Sequence, residues 1–213
     1  MKSVLISIQP KWCELIASGK KTVEVRKTRP KLDTPFKVYI YCTDKKSTDN
    51  SWQYKPNLYR DSSGKVRWID VEFESIFNCE YLQQKVIGEF ICDKIIDIDY
   101  GIEEGVCFDG EYQEGFETNG NGNNPTCLSF VDLENYLTEN EGYGWHISNL
   151  VIYDKPRELS EFYVVVENED CGKCQYYDTP CESEPCNQCQ GGRKYLTRPP
   201  QSWCYVESEV DTE

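Results

Sequence analysis

Three residues near the N-terminus combine the side chains that acid–base or anion-binding chemistry needs. Lys21, Glu24 and Arg26 lie in the run Gly19-Lys20-Lys21-Thr22-Val23-Glu24-Val25-Arg26. A lysine can pair with a phosphate, or serve as base or nucleophile once burial lowers its pKa. A carboxylate can hydrogen-bond a base edge or move a proton, and an arginine can grip phosphate or hold the carboxylate. The competing reading of the same residues is a structural ion-pair network. Strict strand alternation puts Glu24 and Arg26 on one face and turns Lys21 away, so a bulge or the turn at Gly19 must redirect it. His146, the only histidine, follows Trp145, and the pair could flank and stack on a planar ligand. A histidine in an aromatic strand is also an ordinary core or rim residue. Ser7 and Gln9 end an apolar run and could reach the same place.

A second constellation lies in Cys171-x2-Cys174-x6-Cys181-x4-Cys186-x2-Cys189-x14-Cys204. Two C-x2-C knuckles offer four thiolates to a tetrahedral ion, the pattern of a zinc ribbon. Cys171, Cys174, Cys186 and Cys189 are the expected ligands, with Cys181 as the substitute. A four-thiolate site has no open position, so the zinc would be structural. The segment is poor in aliphatic residues, and metal would supply the folding energy its core cannot. Disulfides are the alternative. The other six cysteines are scattered and read as small core residues of a reduced, cytoplasmic protein.

The elements that must position these groups are mostly strands. Residues 2–8 read as a buried first strand. Pro10 opens a short helix whose Trp12, Leu15 and Ile16 share a face, and Gly19 ends it. Residues 22–26 alternate as a strand, and Phe36–Cys42 is another. Residues 43–65 read as a long loop, Val66–Phe73 as a strand, and Val86–Ile98 as one long strand bent at Gly88. Residues 109–125 read as a loop. Ser129 and Asp132 form a capping box ahead of a helix, Trp145–Tyr153 returns to strand, Glu158–Phe162 is a helical turn, and Tyr163–Glu167 a last strand. Many short strands with two helices predict a mostly-β α+β fold built as a small mixed barrel over residues 1–167. The composition shifts at residue 168, where the cysteine-rich segment (168–213) begins.

The net charge of −14 argues against broad binding along a nucleic-acid backbone. Its distribution is uneven. Residues 1–31 hold eight Lys/Arg against Glu14 and Glu24, and the rest holds 15 Lys/Arg against 35 Asp/Glu. A polyanion would meet the N-terminal segment. No apolar run is long enough to span a membrane, and residues 1–7 lack the features of a secretory signal.

The G-x-K-x-x-E-x-R pattern at Gly19–Arg26 resembles the signature of the ASCH family, members of the PUA-like barrel superfamily. Ser7–Ile16, Gly144–Ser148 and Thr197–Glu207 are similar to its phage and Gram-positive members. The resemblance implies a barrel with a cleft beside the motif that handles RNA or a modified nucleoside. It would be met by Lys21, Glu24, Arg26, Ser7 and Gln9 and flanked by Trp145 and His146. It also implies a second reading, a hydrolase of acylated nucleosides or a ribonuclease using Lys21 and Glu24, and whether the chain is an enzyme stays open here. The small amidohydrolase members carry threonine where this sequence has Glu24. A third reading is a zinc-stabilised interaction module, in which the cysteine-rich segment docks a protein partner. A monomer with its Thr197–Glu207 tail packed back on the barrel is expected.

Overall fold

In the computed structural model, residues 2–44, 58–60, 66–68, 84–101, 105–113, 124–137, 141–165 and 193–208 are described. The expected first strand is β1 (Ser3–Ile8), buried along its whole length. Helix α1 (Pro10–Ala17) starts with Pro10 in its first turn and buries Cys13 and Ile16, while Trp12 is half-buried. Gly19 follows at φ +76°, a conformation that costs a glycine little, and turns the chain into β2 (Val23–Arg26). Strand β3 (Phe36–Cys42) then pairs parallel with β1, so α1 and β2 form the crossover between them.

Within the stretch read as a loop lies β4 (Leu58–Arg60), which pairs antiparallel with β5 (Val66–Trp68), the start of the strand expected over Val66–Phe73. The apolar run at 86–98 is two strands rather than one. β6 (Lys85–Cys92) and β7 (Ile95–Gly101) belong to different sheets and part at Asp93–Lys94, where two charged residues interrupt the run. Gly88 marks an irregularity inside β6, where the register with β3 slips by one residue between Ile40, opposite Gly88, and Tyr41, opposite Val86. A Cβ on Gly88 would lie 2.4 Å from the carbonyl oxygen of Val151, so the glycine lets a neighbouring backbone approach closely. Gly88→Ala is therefore expected to cost on the order of 1–3 kcal/mol, read as a lower midpoint in urea denaturation.

Beyond β7 come β8 (Gly105–Phe108), β9 (Glu111–Tyr112) and α2 (Phe130–Tyr136). The expected capping box on α2 is present, with the Ser129 hydroxyl accepting from the Asp132 amide and the Asp132 carboxylate accepting from the Ser129 amide. The run at 145–153 again splits, into β10 (Glu141–His146) and β11 (Ser148–Arg157). A 3-10 turn (Leu159–Glu161), β12 (Phe162–Val165), β13 (Arg193–Tyr195) and β14 (Trp203–Ser208) complete the described chain.

Where one small barrel is expected, the described strands form two open sheets and a separate antiparallel pair. The larger sheet runs β11-β6-β3-β1-β14-β12-β13, and the smaller runs β2-β10-β7-β8-β9. The chain passes between them at β1–β2, β2–β3, β6–β7 and β10–β11, so four stretches of continuous described chain tie the sheets together. One core (Val4, Ile6, Ile8, Ile16, Val38, Phe90 and Trp145 among others) fills the space over β1, β3 and α1. A second, around Val25, Ile98, Phe108 and Leu133, seals the smaller sheet against α2. The described residues form a mostly-β α+β arrangement with two α-helices. The tail segment lies inside the larger sheet: β14 pairs with β1 on one side and β12 on the other.

Candidate functional site

Because Lys21 stands ahead of β2, strand alternation does not bind it. Its amide donates to the carbonyl of Leu15 at 2.9 Å, holding it against the end of α1. The side chain folds back under the strand, and Lys21 Nζ reaches Glu24 Oε2 at 3.4 Å. Glu24 Oε1 in turn lies 3.0 Å from Arg26 Nη2. The turn at Gly19 thus brings Lys21 to the two residues from which alternation alone would turn it away.

All three are buried, at 2%, 6% and 6% exposure for Lys21, Glu24 and Arg26. That burial separates this network from a solvated surface ion pair. Lys21 Nζ donates to the carbonyl of Thr126 at 2.5 Å and sits 5.2 Å from the centroid of the Trp12 ring. Arg26 Nη2 donates to the carbonyl of Ser7 at 2.7 Å, and Nη1 to the Ser202 hydroxyl at 3.4 Å. Removal from water lowers the Lys21 pKa, against the opposing pull of Glu24. Two buried donors on this face have no partner among the described residues: Arg26 Nε and Trp145 Nε1.

The β2–β10 register explains the company. Trp145 lies opposite Glu24 and Tyr143 opposite Arg26, so these four share the face turned toward β1 and α1. Trp145 is fully buried, with Phe36 edge-on at 5.8 Å and Trp203 at 5.9 Å, and so presents no ring face to solvent. His146 lies opposite Val23, on the other face, away from the triad. Its Nδ1 meets Asp93 Oδ1 at 2.6 Å, a bond that holds the Asp93 carboxyl below the usual carboxylate range. Ser7 is buried and donates its hydroxyl to the carbonyl of Pro200 at 2.7 Å. Gln9 is exposed and serves through its backbone carbonyl, which accepts from Trp12 and Cys13 at the start of α1.

Two contributors escaped the sequence reading. Thr126 carries the carbonyl that Lys21 meets. Its position is fixed by Asn124, whose Oδ1 accepts from both the amide and the hydroxyl of Thr126. Ser202, next to β14, reaches Arg26 from the C-terminal side. It lies in the Thr197–Glu207 segment already singled out by its resemblance, whereas Asn124–Thr126 has no signal beyond a turn-rich composition.

Residues 6–99 match the model of the ASCH domain. This stretch is similar to an ASCH domain. It contains β2 and the whole Lys21–Glu24–Arg26 triad, while Trp145, Thr126 and Ser202 come from chain beyond the ASCH match. The crystal structure of the ASCH protein from Zymomonas mobilis is similar at 15% identity and a TM-score of 0.44, covering 98% of this chain and 90% of that one. A mutant of that protein gives 14% identity and a TM-score of 0.42, with 97% and 91% covered. No curated protein matches the sequence.

The expected zinc ligands Cys171, Cys174, Cys186 and Cys189, with Cys181, lie outside the described residues. Among the described residues no cluster of three or more His, Cys, Asp or Glu is arranged to hold a metal. Cys13, Cys42, Cys92, Cys107, Cys127 and Cys204 are free thiols. No helix among the described residues is long and apolar enough to cross a membrane.

Proposed function

We propose that the chain binds RNA or a modified nucleoside at the face formed by Lys21, Glu24, Arg26 and Trp145. The observation that carries this reading is a buried charged triad in which Arg26 Nε, and beside it Trp145 Nε1, have no partner among the described residues. A buried donor left unsatisfied costs about 1–3 kcal/mol, and buried charges are often no better for stability than apolar residues of the same volume. Side chains kept in that state fit a ligand that supplies acceptors. The carbonyl and ring-nitrogen edge of a nucleobase does so, and the Glu24 carboxylate accepts from its amino groups. Pro200–Trp203 and Thr126 lie over the site and must give way for entry.

The test is equilibrium binding of ribonucleosides and short single-stranded RNA to the wild type and to Lys21→Met, which keeps the aliphatic stem. Affinity is expected to fall at least ~10-fold, the equivalent of about 1.4 kcal/mol, in a variant that still unfolds cooperatively. Equal affinity in that folded variant would remove the triad from the binding site.

The lowered Lys21 pKa supports a second reading, hydrolysis of acylated nucleosides or RNA with Lys21 as base beside Glu24. Incubation with a pool of natural and acylated nucleosides and short RNAs, followed by mass spectrometry, separates the two. Loss of one species with wild type but not with Lys21→Met means turnover; retention of all species means binding alone. The cysteine-rich segment, on this reading, folds around a structural zinc held by Cys171, Cys174, Cys186 and Cys189. Chelator treatment is then expected to release zinc and leave cleft binding in place. If no metal is found in purified protein, the zinc assignment fails.

A further inference from the structure

The charge imbalance of the first 31 residues resolves into two populations. Lys21 and Arg26 are buried with Glu24, whereas Lys2, Lys11, Lys20, Lys27, Arg29 and Lys31 are exposed. Three of the exposed cations fall in Lys27-Thr28-Arg29-Pro30-Lys31, the segment that leaves β2 immediately after Arg26. No carboxylate pairs with these three among the described residues, although exposed Asp33 and Glu141 lie on adjoining chain.

Aromatic rings hold two of the three in place. The Arg29 guanidinium lies 5.5 Å from the centroid of Tyr143, and Lys27 Nζ lies 5.4 Å from that of Tyr136. Tyr143 is the cross-strand partner of Arg26, so the stacked pair adjoins the buried triad directly. The C-terminal strand braces the same segment: Trp203 Nε1 donates to the Thr28 hydroxyl at 3.0 Å, and the Lys31 amide donates to the Tyr205 hydroxyl at 2.7 Å. A short stretch of chain is thereby fixed with three solvated cations along it, running on directly from Arg26 of the buried triad.

We infer that Lys27, Arg29 and Lys31 form a track for the phosphates of a single-stranded RNA whose base occupies the triad face, so that the natural ligand is an oligonucleotide and not a free nucleoside. The inference rests on the binding reading above. A duplex does not suit it, because the base must leave its stack to reach a buried face. Beyond the track the chain holds 35 acids against 15 bases, which repels a longer polyanion and keeps the contact short.

Three phosphate contacts on a single strand give a slope of about −2 in log affinity against log salt, or about a 20-fold loss between roughly 50 and 200 mM salt. The experiment measures a fluorescein-labelled single-stranded RNA of about eight nucleotides and the four uncharged ribonucleosides against wild type and the variant Lys27→Ala/Arg29→Ala/Lys31→Ala. The three side chains are exposed, so the variant is expected to fold. Support is a wild-type slope near that value, flattened in the variant, with nucleoside affinity unchanged. If RNA binds with the same slope to both proteins, the track is overturned while the cleft reading stands. If nucleosides bind and RNA binds no better, the track is likewise overturned. If neither probe binds, both readings fall together.

Discussion

Glu24→Leu is expected to destabilise the protein by on the order of 3–5 kcal/mol, a large part of the ~5–15 kcal/mol that holds a typical domain folded. The carboxylate lies between two buried cations, 3.4 Å from Lys21 Nζ and 3.0 Å from Arg26 Nη2. Leucine fills much the same volume but leaves both charges in the interior with only backbone carbonyls and hydroxyls to face. Lys21 would keep Thr126, and Arg26 would keep Ser7 and Ser202. The double variant Lys21→Met/Glu24→Leu is expected to be less damaged than Glu24→Leu alone, because the remaining cation, Arg26, has the larger set of partners. Urea denaturation followed by tryptophan fluorescence reads both. If Glu24→Leu costs under about 1 kcal/mol, the triad is not a coupled buried network, whatever its distances.

The same network sets a pH dependence. The Lys21 pKa is lowered in the folded protein, chiefly by burial. Between that folded value and the ordinary lysine value of 10.5 the unfolded chain binds more protons, so stability rises with pH across the window. Glu24 opposes the burial effect, and its removal lowers the folded value further. The window then opens wider, and Glu24→Leu is expected to regain more stability than wild type as pH climbs toward 10. Denaturation midpoints across pH 7–10 check this, and parallel curves for the two proteins would contradict it.

Local chemistry was legible wherever it alone decides structure. Pro10 and Gly19 bracket α1, and Ser129 with Asp132 starts α2, because capping and positive φ depend on residues a few positions apart. Convergence of Lys21 on Glu24 could be posed from the sequence as a condition, a turn at Gly19 or a bulge, and the turn meets it. What stayed hidden needs partners distant in sequence. An apolar run does not show that Asp93–Lys94 carries the chain from one sheet to another. Trp145 and His146 look alike as neighbours in one aromatic strand, yet the register with β2 puts the first inside with Glu24 and the second on the opposite face with Asp93. Thr126 enters the site through its carbonyl, a group every residue has, so its side-chain type carries no signal.

Ending the chain after Arg198 is expected to abolish cooperative folding, whereas replacing residues 167–191 with a short Gly/Ser loop is expected to preserve it. β14 is an interior strand, between β1 and β12. Without it, the buried β1 would expose its edge, Val206 would leave the core beside Leu5 and Tyr39, and Trp145 would lose Trp203. Burial of one such aliphatic side chain is worth about 1.5–3 kcal/mol, and several go together with the β1 and β12 pairings. Residues 167–191 join differently. Val165 pairs with Arg193 and Tyr163 with Tyr195, so β12 and β13 already form an antiparallel hairpin across their two ends. A hairpin needs only about 2–5 residues to close, so a short loop is long enough to join β12 to β13 in place of residues 167–191. Circular dichroism and thermal melts of the two variants separate the cases: a melt in the shorter loop within a few degrees of wild type, beside none in the truncated chain, makes residues 167–191 an independent module carried by a body that closes without it. Loss of the melt in the loop replacement would instead make the cysteines part of what holds β13, and through β12 and β14 the Ser202 contact to Arg26, in place.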